Sequence, residues 1–112
     1  MDVVFHHSND DPTLHTRVCN NIENLLDDES VTIGAVVLVA NSGGLGLLTA
    51  NSAHRTRIAA LADRGVRFVQ CRNTLVGTDT AEDDLLDCVE VVPSGVGELA
   101  RLQAAGYAYL RP

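Results

Sequence analysis

The stretch from Val31 to Ala40 is a near-continuous Val/Ile/Leu/Ala run, and it limits the fold more than any other feature. It is far shorter than the roughly 20 apolar residues of a membrane-spanning helix. It also lacks the strict alternation of a strand with one wet face. A β-branched run of this kind is expected of a strand covered on both faces, which is the habit of parallel sheets flanked by helices. The rest of the chain supplies the flanking elements. Asp2 to His7 reads as a first strand, stopped by the turn cluster Ser8-Asn9-Asp10-Asp11-Pro12. Pro12 suits the first helical position, and Leu14, Val18, Ile22, Leu25 and Leu26 then mark one apolar helical face. That helix is expected to fray at Asp27-Asp28-Glu29, where acidic side chains meet the negative end of the dipole.

After Ala40 comes the loop Asn41-Ser42-Gly43-Gly44-Leu45-Gly46, then a short helical turn at Leu47, Leu48 and Ala50. A helix from about His54 to Arg64 buries Ile58, Leu61 and Ala62 and closes at Gly65. Val66 to Cys71 is the third strand and Val89 to Val92 the fourth. Ser94 is a candidate N-cap for a last helix carrying Val96, Leu99 and Leu102, and Tyr107 to Leu110 forms a fifth strand. Strands alternating with helical crossovers imply a single α/β domain over residues 1–112. It should have three layers, α/β/α, around a mostly parallel five-stranded sheet.

Composition narrows the function. With 112 residues the chain can close one real core without staples. The net charge of −7 provides no field to attract a phosphate backbone, so nucleic acid is not an expected partner. All eight basic residues are Arg, and 15 are acidic, with Asp dominant and Lys absent. An acidic surface without Lys suits a salt-rich interior, where self-repulsion among carboxylates is screened. The start of the chain shows no basic n-region or cleavage site, no run is long enough to span a membrane, and the three cysteines form no disulfide framework. The expected location is reducing cytoplasm.

Ligands of open α/β sheets collect at the carboxyl ends of the strands. Here those ends are His6-His7-Ser8-Asn9, Asn41-Ser42-Gly43-Gly44 and Cys71-Arg72-Asn73-Thr74. Cys71 is the one nucleophile among them. A thiol before a helical turn starting near Asn73 can face unpaired amides that favour a thiolate, and Arg72 adds a neighbouring positive charge. Cys19 and Cys88 read as packing residues. His6 and His7 point to opposite faces, so one of them at most reaches the crevice. His15 and His54 read as surface or helix-end residues. Cysteine and histidine spacing matches no common zinc site, so no metal or cofactor is expected. The glycine-rich loop lacks the spacing of a dinucleotide fingerprint and the ending of a phosphate-binding loop; its glycines would let amides face a small anion or the sulfur.

The chain resembles the DsrE/DsrF-like family of small sulfur-metabolism proteins from end to end. The likeness is carried by Val3-Val4-Phe5-His6, the helix segment Asn20 to Leu26, and Val37-Leu38-Val39-Ala40-Asn41. It continues through Leu61 to Leu75, including Val69-Gln70-Cys71-Arg72-Asn73-Thr74, then Val91 to Gln103 and Gly106 to Pro112. Cys71 matches the cysteine that closes the third strand in one branch of the family. The resemblance implies a flavodoxin-like fold and a homotrimer or hexamer. It also implies a protein that holds sulfane sulfur as a persulfide on Cys71 and exchanges it with donor and acceptor proteins. Arg72, Asn73, Asn41, Ser42, Gly43 and His6 are the expected supporting pocket. Val76, Leu85 and Leu86 are candidate interface residues. A different class of function stays open: a non-catalytic oligomeric module whose crevice binds a small anion or nucleotide-like ligand.

Overall fold

The computed structural model describes all residues, 1–112. Strands β1 (Val3–His7), β2 (Val36–Ala40), β3 (Arg67–Cys71), β4 (Val89–Val92) and β5 (Ala108–Leu110) form one sheet in the order β4-β3-β2-β1-β5. Every pairing is parallel. Helices α1 (Pro12–Asp27), α2 (Leu45–Leu48), α3 (Arg55–Asp63), α4 (Arg72–Gly77) and α5 (Gly95–Ala104) connect them. From β1 to β4 each step moves one strand along the sheet. The chain then reverses, and α5 carries it back across the opposite face to β5, beside β1. The result is the three-layer, flavodoxin-like α/β domain expected from the sequence.

Strand alternation divides the core into two faces. On one, Val3, Phe5, Leu38 and Phe68 pack against Val18, Ile22, Ile58 and Leu61 of α1 and α3. On the other, Val4, Val37, Val39 and Val69 meet Leu99 and Leu102 of α5. Burying a Val or Leu side chain fully is worth about 1.5–3 kcal/mol, so these two layers hold the sheet between its helices. Local signals set the ends of the elements. The Asp11 carboxylate accepts from Thr13 N–H at the start of α1, with Pro12 behind it. The Ser94 hydroxyl accepts from Gly97 N–H at the start of α5. Gly65 and Gly106 end α3 and α5 at φ of +97° and +95°, a conformation that favours glycine.

Three expectations change. The strand foreseen over Val31 to Ala40 exists only from Val36. Ala35 N–H donates to the Asp2 carboxylate at 2.8 Å, and Gly34 N–H donates to Met1 O at 2.8 Å. A Cβ on Gly34 would lie 2.5 Å from that carboxylate, so the segment is held as a loop against β1. Leu85 is a core residue, buried with Leu45 and Leu75, and Leu86 packs on the main cluster. Leu85 is thus not available as an interface residue, Leu86 is only partly buried, and Val76 is 76% exposed. His15 is buried rather than on the surface. It sits on the apolar stripe of α1 one turn before Val18 and Cys19. Its Nδ1 lies 2.6 Å from Nε2 of His7 at the end of β1, and its ring stands edge-on to His54.

Candidate functional site

In this topology the connections leaving β3 and β4 depart to opposite faces, α4 to one and α5 to the other. Such a divergence opens a crevice at the carboxyl ends of the two strands. Cys71, the last residue of β3, sits there at the N-cap position of α4. It shares the α5 face with Val69, pairs with Val92, and is 6% exposed. The thiol makes no short capping bond. The donors that bear on its titration are the N–H groups of Gly95, Thr74 and Asn73 and the Thr74 hydroxyl. Burial pushes the thiol pKa up, but the combined pull of these donors outweighs it, and the net shift is downward. Cys19 and Cys88 move the other way: burial pushes Cys19 up to about 11 and raises Cys88 as well. Cys71 is thus the one cysteine whose surroundings favour the nucleophilic form.

Two further residues define this environment. Ser42 N–H donates to Thr74 Oγ1 at 2.9 Å, which occupies a lone pair and leaves the hydroxyl hydrogen for the sulfur. Gly95 begins α5 in direct contact with the site. A Cβ there would lie 3.2 Å from Cys71 Cβ and 3.3 Å from Asn41 Cβ. The absent side chain lets the positive end of a ten-residue helix come up against the thiol.

The expected pocket residues divide. Asn41 and His6 join Cys71 on the α5 face, at the ends of the neighbouring strands β2 and β1. His6 Nε2 lies 3.0 Å from Asn41 Oδ1, and His6 Nδ1 lies 2.6 Å from the Tyr109 hydroxyl on β5. Asn73 and Ser42 are exposed, and both act through backbone amides. Gly43 lies against the β1–α1 loop, where a Cβ would come within 2.6 Å of Asp10 N. Gly44 is closer still, 2.0 Å from His7 O by the same measure. The glycine-rich loop is therefore shaped by packing on its neighbour and not by facing the sulfur. Arg72 is also diverted: its guanidinium lies 2.6 Å from the Glu82 carboxylate on the surface. Amide dipoles, not an arginine, tune Cys71. The sequence reading missed Thr74, Gly95 and Tyr109. No group of three His, Cys, Asp or Glu side chains is arranged so that it could hold a metal ion.

A protein of unknown function, MTH1491 from Methanobacterium thermoautotrophicum, has a similar solved structure. It is 39% identical, with a TM-score of 0.92 over 99% of this chain and 98% of that one. No curated protein matches the chain. The DsrE/DsrF-like family model matches residues 21–112, a span that includes Cys71 and every donor around its sulfur. The chain belongs to the DsrE/DsrF-like family.

Proposed function

We propose that the protein handles sulfane sulfur, carrying or transferring it as a persulfide on Cys71. One observation carries the reading: Cys71 alone among three cysteines has its thiol drawn toward the thiolate, at the crevice where the sheet's crossovers diverge. The exchange balances without a redox partner. The Cys71 thiolate attacks the outer sulfur of a donor persulfide, R–S–SH. The donor S–S bond breaks as the new one forms, leaving Cys71–S–SH and R–S⁻, which takes up a proton. An acceptor thiolate then attacks the same outer sulfur and releases Cys71 as thiolate. A lowered pKa serves both steps, since it raises the thiolate fraction in the first and improves the leaving group in the second.

Intact mass after incubation with glutathione persulfide tests this. One added sulfur atom should appear, map to Cys71, vanish on mild reduction, and be absent from Cys71→Ser. A wild-type chain that stays unmodified would remove the reading. It would leave the small-anion module, which the Gly95 end of α5 favours.

The working unit proposed is a homo-oligomer, a trimer or a hexamer. Support comes from the open edge of β5, where Tyr109 and Leu110 are 39% and 40% exposed, and from Val76 and Val96 at 76% and 65%. Light scattering that returns the single-chain mass of 11.9 kDa at micromolar concentration would refute it. The Lys-free acidic composition is read as adaptation to high salt. The location proposed is the cytoplasm; no helix is long and apolar enough to cross a membrane.

A further inference from the structure

We propose that His6 and Tyr109 are positioning residues of this site. They hold the Asn41 carboxamide so that its N–H pair donates to an anion over Cys71, which is the terminal persulfide sulfur if the reading above holds. The hydrogen-bond roles follow from what each atom can do. Asn41 Oδ1 only accepts, so His6 Nε2, 3.0 Å away, carries a hydrogen and donates. In the neutral ring Nδ1 is then an acceptor, and the Tyr109 hydroxyl donates to it across 2.6 Å. The imidazole is thereby fixed at both nitrogens by residues from the strands on either side of β1.

The other polar groups of Asn41 are occupied. Its backbone N–H donates to His7 O at 3.2 Å, and its carbonyl accepts from Gly44 N–H at 2.9 Å. With Oδ1 taken by His6, the carboxamide nitrogen is the one group with no protein partner. In a planar amide that nitrogen lies on the side away from the pinned oxygen. Asn41 Cβ and Cys71 Cβ lie at almost equal distance, 3.3 and 3.2 Å, from the point where a Gly95 side chain would begin. The two side chains therefore leave the backbone side by side at the start of α5, within reach of one anion bound there. No arginine competes for an anion there, because Arg72 is paired with Glu82. A site made of neutral donors suits a small singly charged group such as a persulfide.

The test compares two alkylating reagents at Cys71, iodoacetate and iodoacetamide, by peptide-resolved kinetics. They differ in that one carries a carboxylate close to the sulfur. Loss of a simple structural contribution changes both rates together, whereas loss of aimed donors changes their ratio. The iodoacetate-to-iodoacetamide ratio should fall about tenfold or more in Asn41→Ala and His6→Leu, the scale of one hydrogen bond to a charged group. Asn41→Asp, nearly isosteric, should lower it further by presenting a carboxylate. His6→Gln keeps a donor near the place of Nε2 and should restore most of the ratio. Tyr109→Phe, a mild change at a partly exposed residue, should lower it in the same direction. An unchanged ratio in Asn41→Ala or Asn41→Asp would overturn the donor assignment. A drop in Asn41→Ala without one in His6→Leu and Tyr109→Phe would overturn the positioning role. Sulfur loading is scored separately: loading with unchanged ratios sinks this inference alone, and changed ratios without loading sink the relay alone.

Discussion

Acid should unfold this protein through a histidine on the opposite face of the sheet from the thiol. His7 is 5% exposed at the end of β1, with Nε2 2.6 Å from His15 Nδ1. Burial, then the neighbouring His15 and His6, lower its pKa from 6.5 to about 4. His15 shifts in the same direction through burial and His54, with Asp10 and Asp11 opposing. The sign follows from proton counting. Between pH 6.5 and 4 the unfolded chain binds a proton at His7 that the folded chain does not, so acid favours unfolding. The stability is complete above the unfolded pKa and is lost as pH falls toward the folded one. A shift from 6.5 to about 4 corresponds to about 3 kcal/mol, at a slope of no more than about 1.4 kcal/mol per pH unit for this one group. His7→Gln removes the titration and keeps an amide near the position of Nε2. Urea unfolding at fixed ionic strength, from pH 7.5 to 4.5, should show wild type losing stability more steeply than His7→Gln. The gap should widen steadily below pH 6.5. Carboxylates protonate in both proteins and cancel in the comparison. Parallel curves, or a His7 ring that titrates near 6.5 by NMR, would refute the reasoning.

Three other outcomes follow from the site and the surface. Gly95→Val should slow alkylation of Cys71 and destabilise the fold by about 1–3 kcal/mol, since a branched side chain would press on Cys71 and Asn41; unchanged rate and stability would mean that α5 can withdraw freely. Arg72→Gln should leave the apparent pKa of Cys71 unchanged in an alkylation pH profile, because its guanidinium serves Glu82, and an upward shift would return Arg72 to the site. Thermal midpoints measured from 0.05 to 3 M KCl should keep rising beyond about 1 M if the acidic surface is adapted to salt, whereas a plateau by about 0.3 M would indicate ordinary screening of its net charge of −7.

The parts of this structure that could be read from the sequence are those fixed by local pattern. Val4-His6, Val37-Val39-Asn41 and Val69-Cys71 each follow the period of two, so the strand-end residues could be assigned to faces before any topology was known. The N-cap at Ser94 and the helix-ending glycines were legible because their chemistry is local too. The apolar run at Val31 misled because hydrophobicity marks burial and not ladder pairing. There the Asp2 carboxylate takes the Ala35 amide, and the strand begins one residue later. Tyr109 was invisible as a site residue because β5 lies beside β1 only through the long reversal over α5. Gly95 and Thr74 were hidden for a related reason, since they act on Cys71 through backbone and hydroxyl donors that no side-chain motif records. His15 did carry a signal. It falls three and seven residues before Val18 and Ile22, on the stripe that α1 buries.

The divergence at β3 and β4 also explains why amides could replace a cationic side chain at the thiol. An exposed guanidinium loses its influence in strong salt, where the Debye length shrinks to about 3 Å at 1 M. Donors beside a cysteine that is only 6% exposed leave little room for ions to intervene. Arg72 and Glu82, each about half exposed, instead form a surface pair whose worth depends on the medium. The same divergence that sends α4 and α5 to opposite faces brings the start of each against Cys71 from a different side. The thiol is thus tuned by two chain directions that the parallel sheet fixes. The downward pull on its pKa comes from the crossover geometry of the fold more than from the charge of any one neighbouring side chain.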